Sequence, residues 1–233
     1  MRNGWLRGAA LVLAVGLGTS SGLAFSRVLD DDPDPGRDPL GIGAELLNQP
    51  CSGDNIIVVG RGENRPVLRA AVVESAGEAR YLDTDASCPT LYATLDKAVP
   101  KYVVYLGPFS TPGEACALRM TPEHRGDFVT GLRTGNQTYV KCPCELATDG
   151  WPVLTPGMGS PDALEGMWTK QLQKMLVDTG RLRDDADESG VYDATTVAVV
   201  RRIQANQQLT PDGIVDAQTW SIIRDRACRF YDY

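Results

Sequence analysis

Gly190-Val-Tyr-Asp193-Ala-Thr-Thr196-Val and Gly213-Ile-Val-Asp216-Ala-Gln-Thr219-Trp220 are two copies of one pattern, with Gly, Asp, Ala and Thr at matched positions and Val and Ile exchanged at the second. In each copy the Asp stands where a helix should begin, because its carboxylate can accept from the backbone N–H three residues on, at Thr196 or Thr219. The glycine three residues earlier supplies the turn that feeds the helix. Upstream, Ser160 and Pro161 read as the N-cap and first position of a further helix, and Gly180 as its stop. Its Leu164, Met167, Trp168, Leu172, Met175 and Leu176 fall on one face at helical spacing. Val197, Val200 and Ile203, then Trp220, Ile223 and Ala227, give the other two helices their inner faces. The spacing predicts an all-α three-helix module over 160–228. At about 65 residues it is near the lower size at which a core holds itself together.

The ordered landmarks Leu172-Gln173, Gly190-x-Tyr192-Asp193-x-x-Thr196, Val199-Val200-x-x-Ile203-Gln204 and Leu209-x-x-Asp212-Gly213-Ile214-Val215-x-x-x-Thr219-Trp220 resemble the type-1 peptidoglycan-binding domain. That family is a three-helix module appended to cell-wall enzymes, spore proteins and other exported proteins, so the resemblance implies peptidoglycan as partner. Asp193 and Asp216 depart from the glycine usual there; as better N-caps they leave the helix starts intact.

Peptidoglycan offers amides and carboxylates on its stem peptides and pyranose faces on its glycan. A receptor needs polar side chains for the first and an exposed ring for the second. Gln204, Gln207, Gln208, Asp212 and Thr219 are the candidate polar set, Arg201 and Arg202 candidate partners for a carboxylate, and Tyr192 the candidate surface ring. Capping and turn geometry alone would also explain Thr196, Thr219 and Gly213, and Trp220 reads as core.

The rest of the 233-residue chain has the ordinary composition of a soluble globular protein, and its net charge of −7 argues against nucleic acid or an anionic membrane surface. Residues 1–24 carry Arg2 and Arg7 ahead of an apolar run and end in Gly22-Leu-Ala24, the layout of a secretory signal peptide. An uncleaved membrane anchor is the competing reading, since the apolar stretch nearly reaches spanning length. Either places the remainder outside the cytoplasm. Residues 25–50, with Asp30-Asp-Asp-Pro-Asp-Pro-Gly-Arg-Asp-Pro39, read as an acidic, proline-rich disordered spacer.

From 51 to 145 short β-branched or Tyr-containing runs separated by turn formers predict a small α+β domain. Its expected strands are Ile56–Val59, Val67–Val73, Lys101–Leu106 and Thr138–Cys142; its expected helices are Pro89–Ala98 and Pro112–Met120, the latter opened by a Thr111/Glu114 capping box. Tyr102-Val-Val-Tyr105-Leu-Gly107-Pro108-Phe109 followed by Thr111-x-x-Glu114-Ala115-Cys116 is similar to the strand, Gly-Pro-Phe turn and helix of SPOR-like domains. That resemblance implies a ferredoxin-like sheet that binds glycan strands; an unrelated strand-to-helix turn is the alternative. Residues 146–159, with Pro152, Pro156 and several glycines, read as the linker to the C-terminal module.

Six cysteines, Cys51, Cys88, Cys116, Cys142, Cys144 and Cys228, read as a disulfide framework of an exported chain. The expected pair is Cys88–Cys116, with Cys142 and Cys144 too close to join each other and one of them free to reach Cys228. Zinc at Cys142-Pro-Cys144 is disfavoured, the spacing being one short of C-x-x-C. Asp185-x-Asp187-x-Ser189-Gly190-x-x-Asp193 has calcium-loop spacing but Thr196 where a bidentate Glu belongs. No metal or cofactor is implied. The single histidine, His124, reads as an ordinary loop residue and cannot by itself furnish a zinc hydrolase site. The sequence therefore predicts an exported, wall-associated, non-catalytic protein that binds peptidoglycan through its C-terminal module. A wall hydrolase with a catalytic middle domain, delivered by that module, is the alternative.

Overall fold

The computed structural model describes residues 36–89, 100–124, 126–134, 139–160, 164–183 and 188–229. The sheet is built around β1 (Asn55–Gly62), flanked by β3 (Tyr102–Phe109) and β4 (Phe128–Gly131), with β2 (Arg80–Asp83) and β5 (Tyr139–Val140) outside them. Its order is β2-β3-β1-β4-β5 and every pairing is antiparallel. Alternation along the strands divides the core in two. Ile57, Val104, Leu106 and Val129 face α1 (Arg65–Glu74) and α2 (Pro112–Arg119). Ile56, Val58, Val103 and Tyr105 face the other way, with Leu82, Cys88 and Leu132. Gly60 lets α1 approach the sheet, since a Cβ there would stand 2.6 Å from the Ala71 Cβ.

The Val67–Val73 run, expected as a strand, is helix α1. Asn64 caps it by accepting from Val67 N, Pro66 occupies its first turn, and Leu68, Ala71 and Val72 are its buried residues. Its valines have strand propensity, yet Val67 and Val73 are 53% and 71% exposed: the pattern is helical and only the composition is β-like. Helix α2 begins as expected, with Thr111 Oγ1 accepting from Glu114 N. The expected helix Pro89–Ala98 lies mostly outside the described residues.

The disulfides are Cys51–Cys88, Cys116–Cys142 and Cys144–Cys228. The expected Cys88–Cys116 bond is wrong because the sheet separates its members: Cys88 belongs to the Tyr105 side and Cys116 to the helix side. Cys142 and Cys144 sit on the short helix α3 (Cys142–Glu145), which ties α2 behind it to the last helix of the chain ahead of it.

That last helix is α6 (Ala217–Cys228), preceded by α4 (Leu164–Asp178) and α5 (Ala194–Asn206). Their inner faces are those the sequence predicts, except that Leu164 is 41% exposed. Gly180, at φ +65°, ends α4, and its flanking amides at Gly180 and Arg181 donate back to Val177 and Leu176. The described residues beyond 33 form one compact unit, and one apolar cluster runs from the helix side of the sheet through α4, α5 and α6. Both segments read as spacer or linker take part in it. Ile42 and Ala44 are buried, and Leu46 bridges Tyr81 at the sheet edge. In the second segment Trp151 is packed 5.0 Å from Trp168 and 5.1 Å from Trp220, centroid to centroid.

Closing the 84-residue separation between Cys144 and Cys228 should stabilise by about 4.5 kcal/mol in the chain-entropy treatment. Replacing both by serine should lower the urea midpoint accordingly. An unchanged midpoint would mean that the apolar contacts alone fix the module.

Candidate functional site

The repeated Gly-x-x-Asp pattern is organised by two buried glutamines. Gln204, on the inner face of α5, accepts the Gly213 N–H at 2.9 Å and donates to the Ile214 carbonyl at 2.8 Å and to Asp212 Oδ1 at 3.0 Å. Gln173, on α4, accepts the Gly190 N–H at 2.9 Å and donates to the Val191 carbonyl at 3.0 Å and to Thr196 Oγ1 at 3.2 Å. Each amide therefore clamps a glycine turn to the helix before it. A backbone N–H can only donate, so it fixes which end of each amide faces the turn. Gly190 and Gly213 have φ of +77° and +80°, a region an L side chain enters with strain. A Cβ at Gly213 would also stand 3.0 Å from Val197 Cγ1.

Downstream of each turn the expected caps are present: Asp193 accepts from Thr196 N, and Asp216 from Thr219 N, both at 2.8 Å. The two turns are joined by 154–158. Leu154 exchanges two backbone hydrogen bonds with Val215, Gly157 N donates to the Tyr192 carbonyl, and Tyr192 N donates to the Met158 carbonyl. Trp220, core as expected, donates its indole N–H to the Pro152 carbonyl at 2.8 Å.

The candidate binding residues separate by depth. Tyr192 is not a surface ring: it is fully buried, its hydroxyl donates to the Gly213 carbonyl at 2.6 Å, and burial pushes its phenol well above the ordinary range. The tyrosine of one turn thus locks the glycine of the other, which left no exposed face for a sugar. Gln204 and Thr219 are buried in the same network. Asp212 is exposed, but its carboxylate accepts from Ile214 N and from Gln204, which hold it below its usual pKa. Arg201 donates to the Asp212 carbonyl through Nε and Nη2 at 3.3 Å. Arg202, Gln207 and Gln208 are exposed, with Gln207 Nε2 donating to the Asn206 carbonyl. Tyr192, Gln204, Asp212, Thr219 and Arg201 thus come together around Gly213, mainly as turn architecture, while Arg202, Gln207 and Gln208 stand outside it.

Gln173 stands outside the expected binding set, and its signal in the sequence is the matching of Leu172-Gln173 with Ile203-Gln204, each ahead of a glycine turn. His124 is also less ordinary than expected, its Nδ1 lying 2.7 Å from Asp127 Oδ2 with only 12% of its side chain exposed. The calcium-like spacing falls partly on 184–187, outside the described residues.

Residues 169–223 match the family model "Putative peptidoglycan binding domain". No curated protein and no solved structure matched the chain. The matched segment holds both glutamine clamps, both caps and both glycine turns, and the match supports peptidoglycan as the partner of this part of the chain.

Gln204→Ala leaves the buried Gly213 N–H and the Ile214 carbonyl without this partner and should cost about 2–3 kcal/mol in urea unfolding, with Gln173→Ala close behind. Tyr192 ionises in the unfolded chain near its ordinary value of 10.0 but resists doing so when folded, so its contribution is complete below that pH and fades above it. Tyr192→Phe should cost about 1 kcal/mol at neutral pH and make the alkaline decline of the melting temperature shallower.

Proposed function

We propose that the chain is an exported, non-catalytic protein that binds cell-wall peptidoglycan through its C-terminal helical module. The observation that carries this is the coincidence of the matched segment, 169–223, with the doubly clamped turn architecture. Export is supported by the signal-like residues 1–24 and by three disulfides that use every cysteine, the habit of oxidising compartments. Among the described residues no helix is long and apolar enough to cross a membrane; the anchor reading of 1–24 lies outside them.

The non-catalytic reading rests on the side-chain inventory. With all cysteines bridged there is no thiol nucleophile, and the single imidazole is bonded to Asp127. For the middle domain we infer a ferredoxin-like, SPOR-like relationship. It is supported by the succession β1-α1-β2-β3-α2-β4, the order β2-β3-β1-β4 within the sheet, and both helices packing on one face. On the opposite face Tyr105 is sealed: its hydroxyl accepts from Gln49 Nε2 at 2.6 Å and donates to the Leu47 carbonyl at 2.9 Å, beside the Cys51–Cys88 bridge. That closure favours the helical module over the sheet as the wall contact.

The chain beyond residue 24 should sediment with sacculi stripped of teichoic acid and release no soluble muropeptides across about pH 5 to 8, the window in which an unperturbed imidazole changes charge. Failure to sediment defeats the binding reading. Release of muropeptides defeats the non-catalytic one.

A further inference from the structure

Where α4 and α6 end side by side, a cavity of about 320 Å³ is lined by Asp178, Thr179, Arg181, Arg226, Ala227 and Arg229. Three of its six lining residues are arginines, in a chain whose net charge is −7. None of the three forms an ion pair with a carboxylate among the described residues. The one carboxylate on the wall, Asp178, is held by Lys141 Nζ at 2.6 Å, and Thr179 Oγ1 donates back to the Met175 and Leu176 carbonyls. Burial, and then the charges of Arg226 and Arg202, depress the affinity of the Arg181 guanidinium for its proton. Arg202, exposed on α5, therefore adds to the same positive field.

Converging guanidinium groups repel one another. The carbonyl ends of α4 and α6 offset part of that repulsion, and a bound oxyanion would offset more. Guanidinium is also the side chain whose planar fork matches a carboxylate. We propose that this cavity is the carboxylate-reading subsite of the module, with Arg181 and Arg226 as direct ligands of a free stem-peptide carboxylate and Arg202 and Arg229 widening the field. The proposal rests on peptidoglycan being the partner, whose repeating unit carries carboxylates and no phosphate. It moves the anion contact from the Arg201 side of α5, where the guanidinium is committed to Asp212, to the far edge of the bundle.

The test is titration calorimetry of the chain beyond residue 24 with soluble disaccharide-tetrapeptide muropeptides, with the same muropeptides after carboxyl amidation, and with inorganic phosphate. The unaltered chain should bind the free-acid muropeptide. Arg181→Gln and Arg226→Gln should each weaken binding about tenfold or more, and amidation should weaken it comparably. The melting temperature of the Arg181→Gln/Arg226→Gln variant should change little, because the repulsion removed and the attraction to the two helix ends that is lost oppose one another; a large fall would assign the arginines to the fold instead. Equal binding by the variants, equal binding of amidated ligand, or response to phosphate but not to muropeptide overturns the proposal. If the variants bind muropeptide as well as the unaltered chain does, only the subsite fails and peptidoglycan binding stands. If the unaltered chain binds neither muropeptides nor sacculi, both fall.

Discussion

A buried amide facing a glycine turn is the constraint on which the C-terminal half depends. Gln204 and Gln173 each put one carbonyl and one NH2 against backbone groups that no helix or strand would otherwise satisfy. A buried backbone group left without a partner is expensive, so turns this deep in a bundle exist only where such a partner is supplied. Glutamine meets the need because it accepts and donates at once; a glutamate at neutral pH could only accept. With both turns clamped, Asp193 and Asp216 start their helices in fixed directions, and Tyr192 can reach across to Gly213. The twofold repeat is thus a repeat of hydrogen-bond satisfaction before it is one of ligand contacts.

The module is also less independent than a sequence pattern implies. Helix α3 is bonded to α2 through Cys142 and to α6 through Cys144, and Arg224 donates to the carbonyls of Pro143 and Cys144 at 3.0 Å each. Lys141 adds an ion pair to the end of α4. On the other flank 151–158 supplies Trp151 to the tryptophan cluster and Leu154 to the Val215 bridge. Sheet and bundle therefore face each other in a fixed way, and any wall contact is presented on a rigid support rather than at the end of a flexible tether.

Much of this was legible in the sequence where local chemistry dictates local geometry. The Asp N-caps, the Gly180 stop, the Thr111 cap and the inner faces of three helices follow from hydrogen-bond satisfaction and helical period. What depends on the third dimension was not. Val67–Val73 has strand composition but is a helix because its apolar residues repeat at helical spacing behind Asn64 and Pro66. Cys88 and Cys116 look like neighbours along the chain and lie on opposite sides of the sheet. Strands β2 and β4, four residues each, are too short to carry a pattern. Tyr192 looks like an exposed ring until the second glycine turn is placed beside its hydroxyl. The Arg181 and Arg226 cavity draws on two helix ends distant in sequence.

Surface chemistry then divides the labour: amides and caps hold the turns inside, and cations stand outside on an otherwise acidic chain. The most direct test of this division is an amide-resolved NMR titration of the chain beyond residue 24 with soluble muropeptides. The account predicts shifts concentrated in 164–229, greatest near the ends of α4 and α6, with β1 and β3 unmoved. Shifts centred on the sheet, with the helical bundle silent, would contradict it.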